Sequence, residues 1–198
     1  GDAPYRGGGS RPFPIVAGYQ KVGVVRQVGS EGRGFTAGDR VFATVSRVGG
    51  RMFDPYGGHV SPAITAADQL WKLPEALSAS DAVGCSGLVL TQVGYNCGIR
   101  PEVIPGERAV VIGDGLVGQW TAQTLKHRGA KVLVLGRHDD RLRFLPDAVA
   151  GWNVKTRPAL DVVRAWAEGE PLAVVVDTAG SMPTVLELLP LLKRGAHL

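Results

Sequence analysis

Glu107-Arg-Ala-Val-Val-Ile-Gly113-Asp114-Gly115-Leu116-Val117-Gly118-Gln-Trp120, continued by Ala130-Lys-Val-Leu-Val-Leu-Gly136-Arg137, reads in order as a strand, a glycine turn, a helix and a second strand. Gly113 permits the tight turn, Gly115 lets the backbone approach a pyrophosphate, and Gly118 lets the helix lie close to the strand; the helix N-terminus, with Leu116 and Val117, then faces the phosphates. Three glycines at this spacing are weak evidence alone. Here they follow an apolar β-branched run, open an amphipathic segment that ends at Gly129, and precede a second apolar run. That context is what makes a dinucleotide-binding unit credible.

The end of the second strand bears on which dinucleotide is bound. A unit built for NAD usually places a carboxylate about 20 residues beyond the glycine turn, where it accepts hydrogen bonds from the adenosine ribose. Gly136 stands there, followed by Arg137, His138 and Arg141. No acid on the strand repels a 2′-phosphate, and guanidinium groups that could fork onto one are close by. NADP is therefore expected, with NAD as the alternative, because the same residues also read as a solvated helix start offset by Asp139 and Asp140. One charge-assisted contact of about 1.5 to 3 kcal/mol would give NADPH roughly a ten- to hundredfold advantage. S-adenosylmethionine, another user of such turns, fits less well, since its sites usually also want an acid at this strand end.

Composition frames the motif. The 198 residues are 44% hydrophobic and 20% charged, as in an ordinary globular protein of one or two domains. No apolar run has the length of a membrane span and nothing at the start has the form of a signal peptide, so a cytoplasmic protein without a membrane partner is expected. The net charge of +4 is scattered rather than interleaved with aromatics, which argues against nucleic acid. Cys85 and Cys97 form neither a disulfide framework nor a CxxC metal pair. Residue 1 is glycine, the only methionines are Met52 and Met182, and Lys193 to Leu198 reads as a turn and an opening strand. A segment of a longer protein is expected from this.

Two regions emerge along the chain. Residues 1–77 are rich in glycine and short β-like runs: Lys21 to Gly29, Asp39 to Val45 and His59 to Thr65, separated by turn signals, with Gly7 to Pro14 a loop. Such spacing favours a small β-barrel-like domain. From residue 78 the pattern changes. Ser78-Ala-Ser-Asp81 offers capping side chains and a helix runs through Leu88 to Tyr95. Strands are then expected near 109–112, 131–135, 152–155 and 172–177, with helices near 116–128, 159–168 and 182–192. This is the α/β order of a Rossmann doubly wound parallel sheet, preceded by a partial β-barrel domain.

Phe13-Pro-Ile-Val-Ala-Gly18-Tyr19-Gln20-Lys-Val-Gly23-Val-Val-Arg-Gln-Val-Gly29, then Phe35-Thr-Ala-Gly-Asp39-Arg40-Val41, then Gly57-Gly58-His59-Val60, then Leu70-Trp-Lys-Leu-Pro74, resembles the GroES-like domain of the medium-chain dehydrogenase/reductase superfamily, the zinc-type alcohol dehydrogenase relatives. Val110 to Gly118 and Val174-Val-Val-Asp177-Thr-Ala-Gly180 resemble that family's cofactor domain. The resemblance covers nearly the whole chain. It implies hydride transfer between a nicotinamide and an alcohol, aldehyde, ketone or activated alkene, in a cleft between two domains. A small-molecule substrate and a homo-oligomer, dimer or tetramer, are expected with it.

The departures from the family pattern matter as much. Zinc-dependent members carry His-Glu after the glycine at Gly18, the His being a metal ligand; Tyr19-Gln20 stands here, and neutral Tyr and Gln are poor partners for Zn²⁺. The four-cysteine lobe for structural zinc is also missing, with no cysteine between Val41 and Gly57. A branch lacking catalytic zinc is expected. Aligning Thr91 with the family's nicotinamide-contacting threonine puts another zinc ligand's place nearer Gly87 than Cys85, so Cys85 reads as a buried small hydrophobe. Tyr19 could donate a proton to a carbonyl oxygen as hydride arrives, or simply wall a cleft. His59 reads as a strand-surface side chain, and Asp177 as a loop cap near the cofactor-side Gly180.

Two function classes follow. One is an NADP-dependent alcohol or carbonyl oxidoreductase working without zinc, the protein placing the cofactor against its substrate. The other is a non-catalytic NADPH-binding sensor or structural protein that kept the fold after losing the metal.

Overall fold

The computed structural model describes residues 15–32, 34–47 and 57–198, so the expected loop from Gly7 to Pro14 lies outside the described residues. The chain forms two compact units, Gly1–Val89 and Leu90–Leu198.

In the first unit, β1 (Lys21–Val24), β2 (Arg40–Ala43) and β3 (Leu70–Lys72) form an antiparallel sheet in that order. Val41, Phe42 and Ala43 are buried, and Phe42 lies opposite both Val22 and Trp71. Beyond β1 the pairing continues only through Val25, whose N–H donates to the Asp39 carbonyl, before the chain turns at Gly38 with φ +98°. The run from His59 to Thr65 is not a strand. It makes a single bridge, Ile64 to Arg47, and Ile64 is 73% exposed. Pro62 has no N–H to give a ladder, and the His59 N–H goes instead to the Ala17 carbonyl. A short helix, α1 (Ala79–Gly84), is capped as expected by Ser78, whose Oγ accepts the Asp81 N–H at 3.1 Å; a turn of 3₁₀ helix at Cys85–Gly87 follows.

In the second unit, β4 (Arg108–Ile112), β5 (Lys131–Gly136), β6 (Ala150–Asn153), β7 (Leu172–Asp177) and β8 (Leu192–His197) make a parallel sheet of order β6-β5-β4-β7-β8. All five residues of β4 are buried, as expected for a central parallel strand covered on both faces. Val110, Ile112, Leu133, Leu135 and Val175 pack with Val162 and Val163 of α5 (Ala159–Ala167) and Leu188 of α6 (Met182–Leu188). On the opposite face, Ala109, Val111, Val132 and Val134 pack with Ala122 and Leu125 of α3 (Leu116–His127). The doubly wound arrangement expected from the alternating pattern is therefore present. Helix α2 (Leu88–Ile99) lies on α3 through Gly94 and Gly98, where a Cβ would come within 2.6 Å of the Val117 carbonyl oxygen and 2.6 Å of Thr124 Cβ. Arg128 ties down its C-terminal end, donating to Gly98 O at 2.9 Å and, just beyond the helix, to Pro101 O at 2.7 Å.

The expected helix over 182–192 ends early. After α6 comes a 3₁₀ turn, Leu189–Leu191, in which Pro190 lacks the N–H needed to continue the α-helix, and β8 starts at Leu192. A short helix, α4 (Asp139–Leu142), opens after His138. The reading of Arg137, His138 and Arg141 as a helix start is thus correct for the local backbone.

Candidate dinucleotide site

The ends of β4, β5 and β7 meet at the glycine turn. Gly113 has φ +121°, a region L side chains rarely adopt, and a Cβ on it would lie 2.3 Å from Thr178 Oγ1. At Gly118 a Cβ would lie 2.0 Å from the Gly113 carbonyl oxygen. Both positions are closed by packing. Gly115 is different: it caps α3 in an ordinary extended conformation, φ −76° and ψ 179°, and nothing stands within 4 Å of where its Cβ would be. The N-cap residue Gly115 has no side chain to cap α3, so no side-chain hydrogen bond is made at this N-cap. Exposed Leu116 and half-buried Val117 form the first turn of that helix.

The loop after β7 seals one flank. Thr178 donates both its N–H and its hydroxyl to the Ile112 carbonyl, at 2.8 and 2.9 Å. Asp177 Oδ1 accepts the Ala179 N–H at 2.9 Å, which is the loop-capping role expected of it, and Gly180 follows with φ +71°.

The end of β5 corrects the sequence reading. The strand carries no acid, but a carboxylate is there: Asp114, between the first two glycines, reaches across from the turn. Its Oδ2 accepts the N–H groups of Arg137 at 2.7 Å and His138 at 2.8 Å, its carboxylate meets His138 Nδ1 at 3.0 Å, and Arg141 Nη1 lies 3.6 Å from Oδ1. Burial opposes the charge on Asp114, but the Arg137 N–H and the two His138 groups outweigh it and hold the carboxyl below its ordinary 3.8. Gly136 is glycine because a Cβ there would lie 2.7 Å from both Asp114 Cβ and Oδ2. Sequence reasoning missed Asp114. The signal available was an acid inside the glycine motif paired with a glycine where the strand acid usually stands. Gln119 ties these parts together, donating to the carbonyls of Asp114 at 3.2 Å and Arg141 at 3.0 Å.

The structure therefore brings Gly113, Gly115, Gly118, Gly136, Arg137, His138 and Arg141 to one end of the sheet, with Gly180 on the adjoining loop. Thr91 lies in the first turn of α2 and is half-buried. In the first unit, Tyr19 is 36% exposed and its backbone is fixed by Gly58, whose N–H donates to the Gly18 carbonyl at 3.0 Å. His59 is not on a strand; its ring packs against the Cα of Gly18, where an added Cβ would meet it at 2.3 Å. Beneath this loop, Lys21 Nζ donates to Ser46 Oγ and, at 2.6 Å, to the Gly57 carbonyl, and burial holds the ammonium below its ordinary 10.5.

At the Tyr19–Gln20 position the side chains are neutral, and neutral Tyr and Gln are poor partners for Zn²⁺. Gln20 Oε1 is engaged with the Val89 N–H at 2.9 Å, and no group of three or more His, Cys, Asp or Glu side chains suited to a metal occurs among the described residues. Cys85 is half-buried rather than buried, on the 3₁₀ turn after α1.

Residues 1–75 match the alcohol dehydrogenase GroES-like domain family. The chain is 25% identical over 204 residues to a putative D-xylulose reductase of Agrobacterium fabrum, covering 92% of this chain and 57% of that protein. Among solved structures, Escherichia coli quinone oxidoreductase complexed with NADPH superposes with a TM-score of 0.65 at 27% identity, covering 89% of this chain and 52% of the other. An alcohol dehydrogenase superfamily protein from Novosphingobium aromaticivorans gives 0.67 at 26% identity, covering 99% and 57%. Residues 1–75 thus carry the alcohol dehydrogenase GroES-like domain, and over nearly all of its length the chain is similar to members of the medium-chain dehydrogenase/reductase superfamily. It spans little more than half the length of these relatives.

Proposed function

We propose that this chain is the cofactor-binding part, with a portion of the substrate domain, of an oxidoreductase that transfers hydride between NADP(H) and a small alcohol, carbonyl or enone without catalytic zinc. The observation that carries the reading is the asymmetry of the three glycines: two are filled by packing, while Gly115 presents bare backbone at the uncapped start of a twelve-residue helix. That surface suits a pyrophosphate. The bound cofactor supplies the hydride. The chain's own residues hold and orient it: the α3 N-terminus takes the pyrophosphate, and the Arg137 and Arg141 guanidinium groups, with the His138 ring beside them, form a rim at the end of β5 for a 2′-phosphate. Thr91 is assigned to the nicotinamide end. Tyr19 is assigned as the proton donor to the substrate oxygen. Residues 1–77 are assigned to the substrate domain and 78–198 to the cofactor domain. A homo-oligomer is the proposed assembly, and the cytoplasm the proposed location.

The competing reading, an NADPH-binding protein without turnover, differs only in chemistry. Incubating the full-length protein with NADPH and a panel of aldehydes, ketones, quinones and enones separates the two. Cofactor oxidation that falls at least tenfold in Tyr19→Phe supports the enzyme and its donor, and tight NADPH binding with no turnover on any member contradicts it.

A further inference from the structure

We propose that Asp114 sets the cofactor preference of this site, acting as an internal anion that holds down the advantage of a 2′-phosphorylated dinucleotide over its unphosphorylated form. The proposal deepens the nicotinamide-cofactor reading above and rests on it. Three observations carry it. First, the two backbone N–H groups that the chain presents as β5 ends, those of Arg137 and His138, both point at the Asp114 carboxylate, at 2.7 and 2.8 Å. These donors are already used. Second, the same carboxylate draws in two of the three side chains of that rim, His138 Nδ1 at 3.0 Å and Arg141 Nη1 at 3.6 Å. Among the described residues Arg137 makes no ion pair and is left for an incoming anion. Third, Gly136 has no room for a strand acid because Asp114 fills that space. The negative charge of an NAD-type strand end is thus retained but supplied from the glycine turn, with its side chain only 7% exposed. A charge fixed in a partly desolvated position acts on a nearby phosphate with little screening by solvent.

Asp114 therefore opposes Arg137 and Arg141, and removing its charge removes the repulsion of a 2′-phosphate and loosens the hold on the His138 ring and the Arg141 guanidinium. The test uses adenosine 2′,5′-bisphosphate and adenosine 5′-monophosphate, which differ only in that phosphate, titrated calorimetrically into the full-length protein and its D114N and D114A variants. D114N keeps the side-chain volume and an acceptor oxygen; D114A serves if the amide disturbs the loop. The expected result is a bisphosphate affinity raised about tenfold relative to the parent, with the monophosphate changed less than about twofold, in either variant that melts cooperatively. An unchanged ratio, or a bisphosphate weakened more than the monophosphate, overturns the proposal and makes Asp114 a support for the rim instead. Binding of neither nucleotide by the parent overturns the cofactor reading and this proposal with it, so the two failures are distinguishable.

Discussion

Substituting Gly115 and Gly118 separately should divide stability from cofactor binding, although the two lie three residues apart in one motif. At Gly118 the new methyl would sit 2.0 Å from the Gly113 carbonyl oxygen and 2.9 Å from Thr178 Oγ1. The nearer atom is backbone, in a turn already fixed by Gly113 at φ +121°, so it cannot swing aside as a side chain would. Overpacking of this kind costs about 1 to 3 kcal/mol, and a backbone obstacle belongs at the upper end. At roughly 2 to 4 °C per kcal/mol for a chain of this size, Gly118→Ala should lower Tm by about 6 to 12 °C. Gly115→Ala meets nothing within 4 Å, in a conformation open to any residue. Its cost is confined to the weaker helix cap, under about 1 kcal/mol. Its methyl would, however, stand where the backbone must approach the pyrophosphate. Losing one charge-assisted contact of about 1.5 to 3 kcal/mol weakens NADPH roughly ten- to hundredfold. Thermal unfolding in the absence of cofactor, followed by fluorescence titration with NADPH, measures both quantities. Gly115→Ala binding like the parent, or Gly118→Ala melting like the parent, would refute the division of roles.

Other outcomes follow from the same geometry. Gly94→Leu should push α2 off α3, because even a Cβ comes within 2.6 Å of Val117 O, and near-ultraviolet circular dichroism with melting should show lost packing. Gly136→Asp, an obvious way to seek an NAD preference, should instead destabilise the protein, since its side chain would enter the space of Asp114; a stable Gly136→Asp variant would contradict the packing at the end of β5. Because the Asp114 carboxyl is held below 3.8 in the folded chain, its stabilising share is fully present above that value and is lost as pH falls through the lower folded value. The parent should therefore lose more stability on acidification below about pH 4 than Asp114→Asn does, as chemical denaturation at pH 6 and pH 3 would show. Elemental analysis after mild chelation should find no stoichiometric zinc, and about one tightly held ion per chain would overturn the zinc-free assignment.

The doubly wound sheet was legible in the sequence because β4 and β5 are apolar runs that flank the turn of Gly113, Gly115 and Gly118 and the helix it opens. The contacts of Asp114 were not legible. Its partners, Arg137 and His138, are more than twenty residues away, and only the folded sheet brings the turn under the second strand end. The antiparallel unit was read less well, because short exposed segments such as His59 to Thr65 carry little periodicity and Ile64 faces solvent. Where α6 stops was written in Pro190, but the apolar pattern through Leu191 and Leu192 masks the change from helix to strand.

The most direct test of the central claim is a parallel titration of the full-length protein with NADPH and NADH, followed by fluorescence energy transfer from the four tryptophans to the reduced nicotinamide. The account predicts saturable binding of both, with NADPH the tighter by a margin that widens in Asp114→Asn. Failure to bind either cofactor, or NADH binding more tightly than NADPH in both proteins, would contradict it.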